Sequence, residues 1–371
     1  MGNLRDSTSP RLHLDHPTND ETAHIWRTTS TEWKGPLNVS QYCTEYAYLS
    51  SVPLARDNGM TQWVLVDGDE QSNRRILASC ETFLKRALVS DETGNCTDVI
   101  AHGIASVYCE PALRKRGYAS RMLEELKQTL PTWRTESGKQ CVASMLYSDI
   151  DPTFYQCLGW DPFPSNHLEF YAEKSPHTAT PLFADDLATL CKKDEAILRA
   201  SMANPSPDNK KKTRFAVLPD HDHIVWHHAK AEFNAQILCG KTPDVKGAIS
   251  GEDGNRVWAI WAHRFYKHPD DDPSANTLYI LRFVTEGNDP AVESIQAVLQ
   301  AAQDEAQQWG LHKVKLWNPT ARLEDLIKQT GMSYRSRART KDSIPCLQWY
   351  GEGDGTPDSL SWLLNEKYAW C

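Results

Sequence analysis

No apolar run in this 371-residue chain is long enough to cross a membrane, and the opening Met1-Gly-Asn-Leu-Arg-Asp6 lacks the hydrophobic stretch of a signal peptide. A cytoplasmic protein is therefore expected, and the sequon matches Asn38-Val-Ser40 and Asn95-Cys-Thr97 are read as chance. Asp6 stands where myristoylation needs Ser or Thr, so no lipid anchor is expected. The ten cysteines contain no Cys-x-x-Cys pair, which argues against a disulfide framework and a zinc site of that kind. Basic residues are in deficit, 40 against 49 acidic ones for a net charge of −9. That balance disfavours a nucleic-acid partner and leans toward a cationic or amine substrate. Both common phosphate-binding signatures, G-x-G-x-x-G and G-x-x-x-x-G-K-[ST], are also missing.

An anion site is nevertheless written into the chain. The β-forming run Val99-Ile-Ala-His-Gly-Ile-Ala-Ser-Val-Tyr-Cys109 leads into Pro111-Ala-Leu-Arg-Lys-Arg-Gly-Tyr-Ala-Ser-Arg-Met-Leu123. Met122, Leu123, Leu126 and Leu130 then follow at helical spacing. Such a strand-to-helix turn aims free backbone N–H groups and the positive end of a helix at one point, while Gly117 and Ala119 let a ligand approach the backbone. A diphosphate is the natural occupant.

The pattern V-x-C-x-P-x-x-R-x-x-G-x-A resembles motif A of the GNAT acyl-CoA-dependent N-acetyltransferases. A second signature follows in order, the strand Cys141-Val-Ala-Ser-Met-Leu-Tyr147 and then Phe154-Tyr-Gln-Cys-Leu-Gly-Trp160, similar to the F-Y-x-x-x-G-F/W motif of that superfamily.

Periodicity and turn residues lay out the first half as a strand at 11–17, helices at 20–33 and 38–50, and paired strands at 61–67 and 74–88 around Asp67-Gly-Asp69. The motif A strand and helix follow, then a strand at 141–148, a helix at 151–158 and a closing strand His167–Ala172. Residues 173–182 read as a linker. The second half repeats the order, with strands at 257–266 and 277–285, and a helix carrying Val292, Ile295, Leu299, Ala302, Ala306 and Trp309. Strand 313–317, helix 320–330 and strand 347–350 complete it. The equivalent of its phosphate loop, Glu286-Gly-Asn-Asp-Pro290, would repel a diphosphate. The expected fold is α/β (α+β), with tandem GNAT-like domains: a complete catalytic one at 1–175 and a degenerate one at 176–371 that contributes to the substrate cleft.

This arrangement, with the Val314-Lys-Leu-Trp-Asn-Pro319 segment and the ending Trp362-Leu-Leu-Asn-Glu-Lys-Tyr-Ala-Trp-Cys371, is similar to the fungal lysine N6-acetyltransferase family. The resemblance implies acetyl-CoA as cosubstrate and a small-molecule amine as acceptor, first of all the N6-amine of L-lysine. A polyamine or an amine-bearing secondary metabolite is the alternative acceptor, and a non-catalytic acyl-CoA-binding sensor is the alternative class. Neither nucleic acid nor membrane is an expected partner, and the oligomeric state stays open.

It further implies that backbone groups of Val107 and Cys109 pair with the pantetheine arm and polarise the thioester carbonyl. The stretch Arg114, Lys115, Arg116, Gly117, Tyr118, Ala119 and Ser120 holds the diphosphate through its amides, helped by the cationic side chains. Tyr155 takes the role of acid to the leaving thiolate. A base is needed because an amine of pKa near 10.4 must lose a proton before attack. The position where relatives carry a strand carboxylate is Gly103, leaving three routes open: His102 through a bulge, the Cys371 carboxylate delivered by an inserted C-terminus, or proton loss to water. No metal site is expected, since His221-Asp-His223 with His227-His228 matches no ligand spacing and starts in a presumed loop at Pro219-Asp220. Lys210-Lys-Lys-Thr-Arg214 reads as a solvated loop. Trp26, Trp33, Trp349, Trp362 and Trp370 are candidate cleft walls among the thirteen tryptophans.

Overall fold

The structure, a computed structural model, describes residues 4–68, 74–135, 138–204, 212–287 and 289–370. Its first half runs β1 (Leu12–Asp15), α1 (Asn19–Trp33), α2 (Val39–Leu49), β2 (Met60–Asp67), β3 (Arg75–Ser90), β4 (Cys96–Tyr108), α3 (Tyr118–Thr129), β5 (Cys141–Ser148), α4 (Thr153–Gln156), β6 (Asp161–Pro162) and β7 (Asn166–Tyr171). There follow β8 (Thr180–Leu182), α5 (Ala184–Ala203), β9 (Thr213–Val217), α6 (His221–Cys239), β10 (Gly247–Ser250), β11 (Val257–Arg264), β12 (Thr277–Thr285) and α7 (Val292–Gln308). The chain closes with β13 (Lys313–Trp317), α8 (Ala321–Gln329), β14 (Arg335–Ala338), β15 (Ile344–Trp349) and β16 (Leu360–Trp362). Asp69, at the expected hairpin tip, and Lys210 and Lys211 of the basic run lie outside the described residues.

Local chemistry starts these elements. Thr18 and Glu21 cap α1 reciprocally, the Thr18 hydroxyl accepting from the Glu21 N–H and the Glu21 carboxylate accepting from the Thr18 N–H; Asn38 and Gln41 do the same for α2. The 12 residues of α3 would be marginal as an isolated helix. Tyr118, Met122, Leu123 and Leu126 hold it by burying against Leu12, Trp63 and Leu146. Each fully buried apolar side chain of this kind contributes roughly 1.5–3 kcal/mol.

Two sheets result. The first has nine strands in the order β1-β2-β3-β4-β5-β15-β6, with β9 added on the far end of β3 and β16 on β9. The second has seven, in the order β14-β7-β13-β12-β11-β10-β8. A large core lies between them, joining Ala101 and Val142 of the first sheet to Trp258 and Ile260 of the second, with Leu187 and Leu190 of α5 and Ile224 of α6. The parallel pair β12·β13 repeats the parallel pair β4·β5.

The two halves exchange strands, which corrects the expected division at residue 175. The strand expected to close the first half, β7, pairs with β13 and β14, and its Leu168 and Phe170 bury in the second core. In its place β15 pairs with β5 from Ile344↔Ser148 to Trp349↔Ala143 and buries Cys346 in the first core. Alternation marks both segments as strands but carries no label for the partner sheet. Nor is 173–182 purely a linker, because Thr180–Leu182 pairs with β10.

Candidate active site

The site begins where two neighbouring strands part. The parallel register of β4 and β5 runs from Ile100↔Cys141 to Gly103↔Met145 and stops, while β4 continues to Tyr108 and β5 to Ser148. On the other side of β4 the register jumps from Ala105↔Glu81 to Tyr108↔Ser79, so three steps of β4 face two of β3. Ser106, at φ 52°, sits in this bulge. Neither Ser106 nor Val107 has a partner residue in either neighbouring strand, so their backbone groups are available to a ligand.

A second set of backbone donors stands at the start of α3. Lys115 and Gly117 both adopt positive φ, 62° and 82°, and Gly117 caps the helix with no side chain over its first N–H groups. A Cβ on Gly117 would lie 2.6 Å from the Ser7 hydroxyl, so glycine serves both the turn and the packing of the N-terminal segment. Arg114 donates from Nε to the Cys109 carbonyl at 2.9 Å and pairs through Nη2 with Glu32 at 2.6 Å. The Cys109 carbonyl is thereby taken, leaving its amide as the group it can offer. Lys115 and Arg116 are exposed, whereas the Tyr118 ring is buried with its hydroxyl donating to the Arg5 carbonyl at 2.6 Å. Tyr118 and Ser120 therefore contribute through backbone N–H groups, as does Ala119, which lines the adjoining cavity.

That cavity, about 1200 Å³, opens between the parted strands and the second half of the chain. Val107, Cys109, Arg114, Leu146 and Tyr155 line it from the first half, and Tyr279, Lys315, Trp317, Arg339, Lys367 and Trp370 from the second. Tyr155, on α4, is buried against Phe154 at 5.0 Å between ring centroids, and its hydroxyl has no hydrogen-bond partner among the described residues. Burial pushes its pKa above the ordinary phenol value, so at neutral pH it holds a proton to give.

Glu81 is the functional candidate that the sequence reading missed. It projects from β3 into the cavity, accepts from the Ser106 hydroxyl at 3.0 Å and from Gln62 Nε2 at 3.3 Å, and is only 5 % exposed. Burial pushes its carboxyl above the ordinary range, against the pull of those two hydrogen bonds and of Lys230. A signal was available: Glu81 is the sole charge between Ile76 and Leu84, in a strand otherwise built for a core.

His102 is corrected. Its ring is 1 % exposed, its Nε2 lies 3.1 Å from the Trp133 carbonyl, and it does not line the cavity. Burial lowers its pKa to about 4. The bulge falls at Ser106, too late in β4 to turn His102 around, so strand alternation keeps it on the opposite face. Cys371 lies outside the described residues; Lys367 and Trp370 just before it line the cavity. Of the candidate tryptophans Trp33 and Trp370 reach the cavity, joined by Trp226 and Trp317, while Trp26, Trp349 and Trp362 do not.

The histidine cluster belongs to α6, which starts at His221 on an Asp220 cap rather than in a loop. His227 pairs with the Tyr368 carbonyl at 3.2 Å and His228 with the Trp261 carbonyl at 2.9 Å, and no group of described residues is arranged to hold a metal ion. In the second half, Glu286 is clamped by Lys193 at 2.6 Å, Arg256 at 3.1 Å and the Gly254 N–H at 2.7 Å. A protein carboxylate thus already meets the cations near that loop; Asn288 of the loop lies outside the described residues.

The net acidic charge does not extend into the cavity. Nine Lys and Arg side chains line it against five carboxylates, so the local charge is opposite in sign to that of the whole chain.

Residues 164–371, more than half of the chain, match the family model described as the LYC1 GNAT-like C-terminal domain. The chain belongs to the LYC1-like GNAT family. A protein of Yarrowia lipolytica named "Lysine acetyltransferase" is 23% identical over 421 residues, covering 99% of this chain and 100% of its own. Among solved structures, the GCN5-related N-acetyltransferase from Kribbella flavida superposes with a TM-score of 0.52 at 15% identity, covering 91% of this chain and 70% of that one. The one from Anabaena variabilis gives 0.51 at 13%, covering 91% and 72%. These likenesses show the shared fold. This member of the family is a GNAT-type acetyltransferase of mixed α/β architecture. Among the described residues no helix is long and apolar enough to cross a membrane.

Proposed function

We propose that this enzyme transfers the acetyl group of acetyl-CoA to a side-chain amine of a free amino acid, with the N6-amine of L-lysine as the first choice. The observation that carries this reading is the lining of one cavity: the parted strands and the buried Glu81 carboxylate from the first half, and a group of cations from the second. A polyamine would meet those cations with like charge, whereas an amino acid offers an amine to the carboxylate and a carboxylate to the cations. The name of the Yarrowia lipolytica relative points the same way.

The fit to acetyl-CoA rests on three features: unpartnered backbone at Ser106 and Val107, the uncapped N–H groups of Tyr118, Ala119 and Ser120, and a cavity that begins between them. In this reading Val107 and Cys109 amides hold the pantetheine arm, and the 114–120 loop holds the diphosphate with help from Arg114, Lys115 and Arg116. When bound, acetyl-CoA supplies the activated acyl group. Glu81 accepts the proton that the amine must lose, its raised pKa bringing it closer to neutral pH than a solvated carboxylate. Tyr155 gives its hydroxyl proton to the departing sulfur.

The test is release of free CoA thiol across a panel containing L-lysine, L-ornithine, spermidine and glycine. Turnover with L-lysine well above the others supports the reading. Acetyl-CoA binding without thiol release for any amine would favour a non-catalytic acyl-CoA sensor instead, and spermidine as the best acceptor would overturn the amino-acid assignment.

A further inference from the structure

Resting on that reading and going one step beyond it, we infer that Arg339, stacked on Trp317 and backed by Lys367, is an anion subsite that takes the carboxylate of the acceptor amino acid. Arg339 follows β14, with its backbone fixed by an N–H to the Ser165 carbonyl at 2.9 Å. Its guanidinium carbon lies over the Trp317 ring, 3.7 Å from the centroid, a cation–π contact that holds the guanidinium in place. The residue is 8 % exposed, lines the cavity, and its Nε, Nη1 and Nη2 atoms are all buried without a hydrogen-bond partner among the described residues.

An arginine side chain in that state is anomalous. Buried charges are nearly always paired, and a guanidinium has five N–H groups whose spacing matches the two oxygens of one carboxylate. Lys367 adds a second cation, 6 % exposed, its ammonium 4.4 Å from the Trp317 ring centroid and 3.5 Å from that of Trp370. Among the described residues no carboxylate forms an ion pair with either. The nearby acids are committed elsewhere: Asp149 to the Ser343 amide at 2.8 Å, and Glu169 to His167 at 3.0 Å and Lys315 at 3.3 Å. Burial drives the Arg339 pKa down to about 10 and that of Lys367 down as well, the response of cations that lack a counter-charge. The cavity therefore carries two desolvated cations on the Trp317 ring with no carboxylate paired to either among the described residues, and the ligand chemistry that satisfies the Arg339 fork is a carboxylate.

The experiment crosses enzyme and substrate. L-lysine and cadaverine carry the same primary amine and differ by the carboxylate. Wild-type kcat/KM is expected to favour L-lysine by about 100-fold or more, and Arg339→Gln to lose about 100-fold toward L-lysine while leaving cadaverine within about threefold. Equal losses toward both amines would overturn the subsite, and are the result expected if Arg339 instead pairs with a carboxylate of the protein itself. An arm independent of catalysis uses L-norleucine, which keeps the carboxylate and lacks the side-chain amine. Calorimetric binding to wild type, lost in Arg339→Gln and partly restored in Arg339→Lys, supports the proposal; no binding to wild type overturns it. If wild type acetylates neither amine, the functional reading fails while the L-norleucine titration still decides the subsite. Arg339→Gln should also melt at or above the wild-type temperature, since it removes an unpaired buried charge.

Discussion

The Ser106 hydroxyl donates to the Glu81 carboxylate across the bulge that ends regular pairing between β3 and β4, at 3.0 Å. The contact ties the device that exposes backbone to a ligand to a carboxylate able to take a proton. Without the bulge, Ser106 and Val107 would be absorbed into the ladder; without Glu81, no carboxylate would accept from the Ser106 hydroxyl. Glu81→Gln keeps the shape and both neighbours, and is expected to lower kcat by about 10²–10⁴-fold, the range of general acid–base effects. The wild-type acid limb of kcat/KM should lie above the ~4.3 of a solvated glutamate, because the raised pKa leaves Glu81 protonated and unable to accept a proton below that limb. In Glu81→Gln that limb should vanish. A variant with unchanged kcat would return the role to another group. A few residues added after Cys371 test the terminal carboxylate directly, and near-normal turnover of that extended chain is the outcome expected if Glu81 is the base.

The Tyr155 hydroxyl has no hydrogen-bond partner among the described residues, and the residue lines the cavity. Tyr155→Phe is expected to lower kcat by about 10²-fold or more with little change in acetyl-CoA affinity, since the ring and its packing against Phe154 are kept. A kcat within twofold of wild type would make Tyr155 a packing residue.

The motif A turn was legible because its chemistry is local: a strand, a turn with Gly117 at positive φ and an amphipathic helix all lie within one short stretch. Glu81 was not, because its role depends on facing Ala105 and Ser106 across a strand pair whose register no local pattern fixes. The same limit hid the exchange of β7 and β15. His102 could be judged from alternation alone, and its placement on the far face follows the pleat. Overall charge did not show the local charge of the cavity, since Arg264, Lys315, Arg339 and Lys367 gather there from separate parts of the chain. Trp317 and Lys367, from the two segments that carried the family resemblance, meet there at 4.4 Å.

Ala119 offers a cleaner probe of the diphosphate loop than Gly117, where any side chain meets Ser7 and a strained φ. A carboxylate in the first turn of α3 favours the helix, so Ala119→Glu should fold normally. It should raise the KM for acetyl-CoA by about 100-fold or more, because like charges brought together cost several kcal/mol. The matched change in the second half, Asp289→Lys at an exposed position before α7, should leave that KM within twofold. Equal effects in both variants would contradict a single acetyl-CoA site.

Strand exchange makes the two halves one folding unit. A fragment of residues 1–175 would lose β15 from the edge of β5, with Ile344 and Cys346 removed from the first core, and would lose β9 from β3. It would also keep β7 with neither β13 nor β14 to pair with, exposing Leu168 and Phe170, which are at most 1 % exposed in the intact chain. Unpaired strand edges with apolar faces favour aggregation over folding. The fragment is therefore expected to show no cooperative thermal or urea transition and no acetyl-CoA binding, although it contains every residue of motif A. Co-expression with residues 176–371 should restore both, because each half then receives its missing strands. A fragment that unfolds cooperatively and binds acetyl-CoA alone would show that the exchanged strands only decorate an independent first domain.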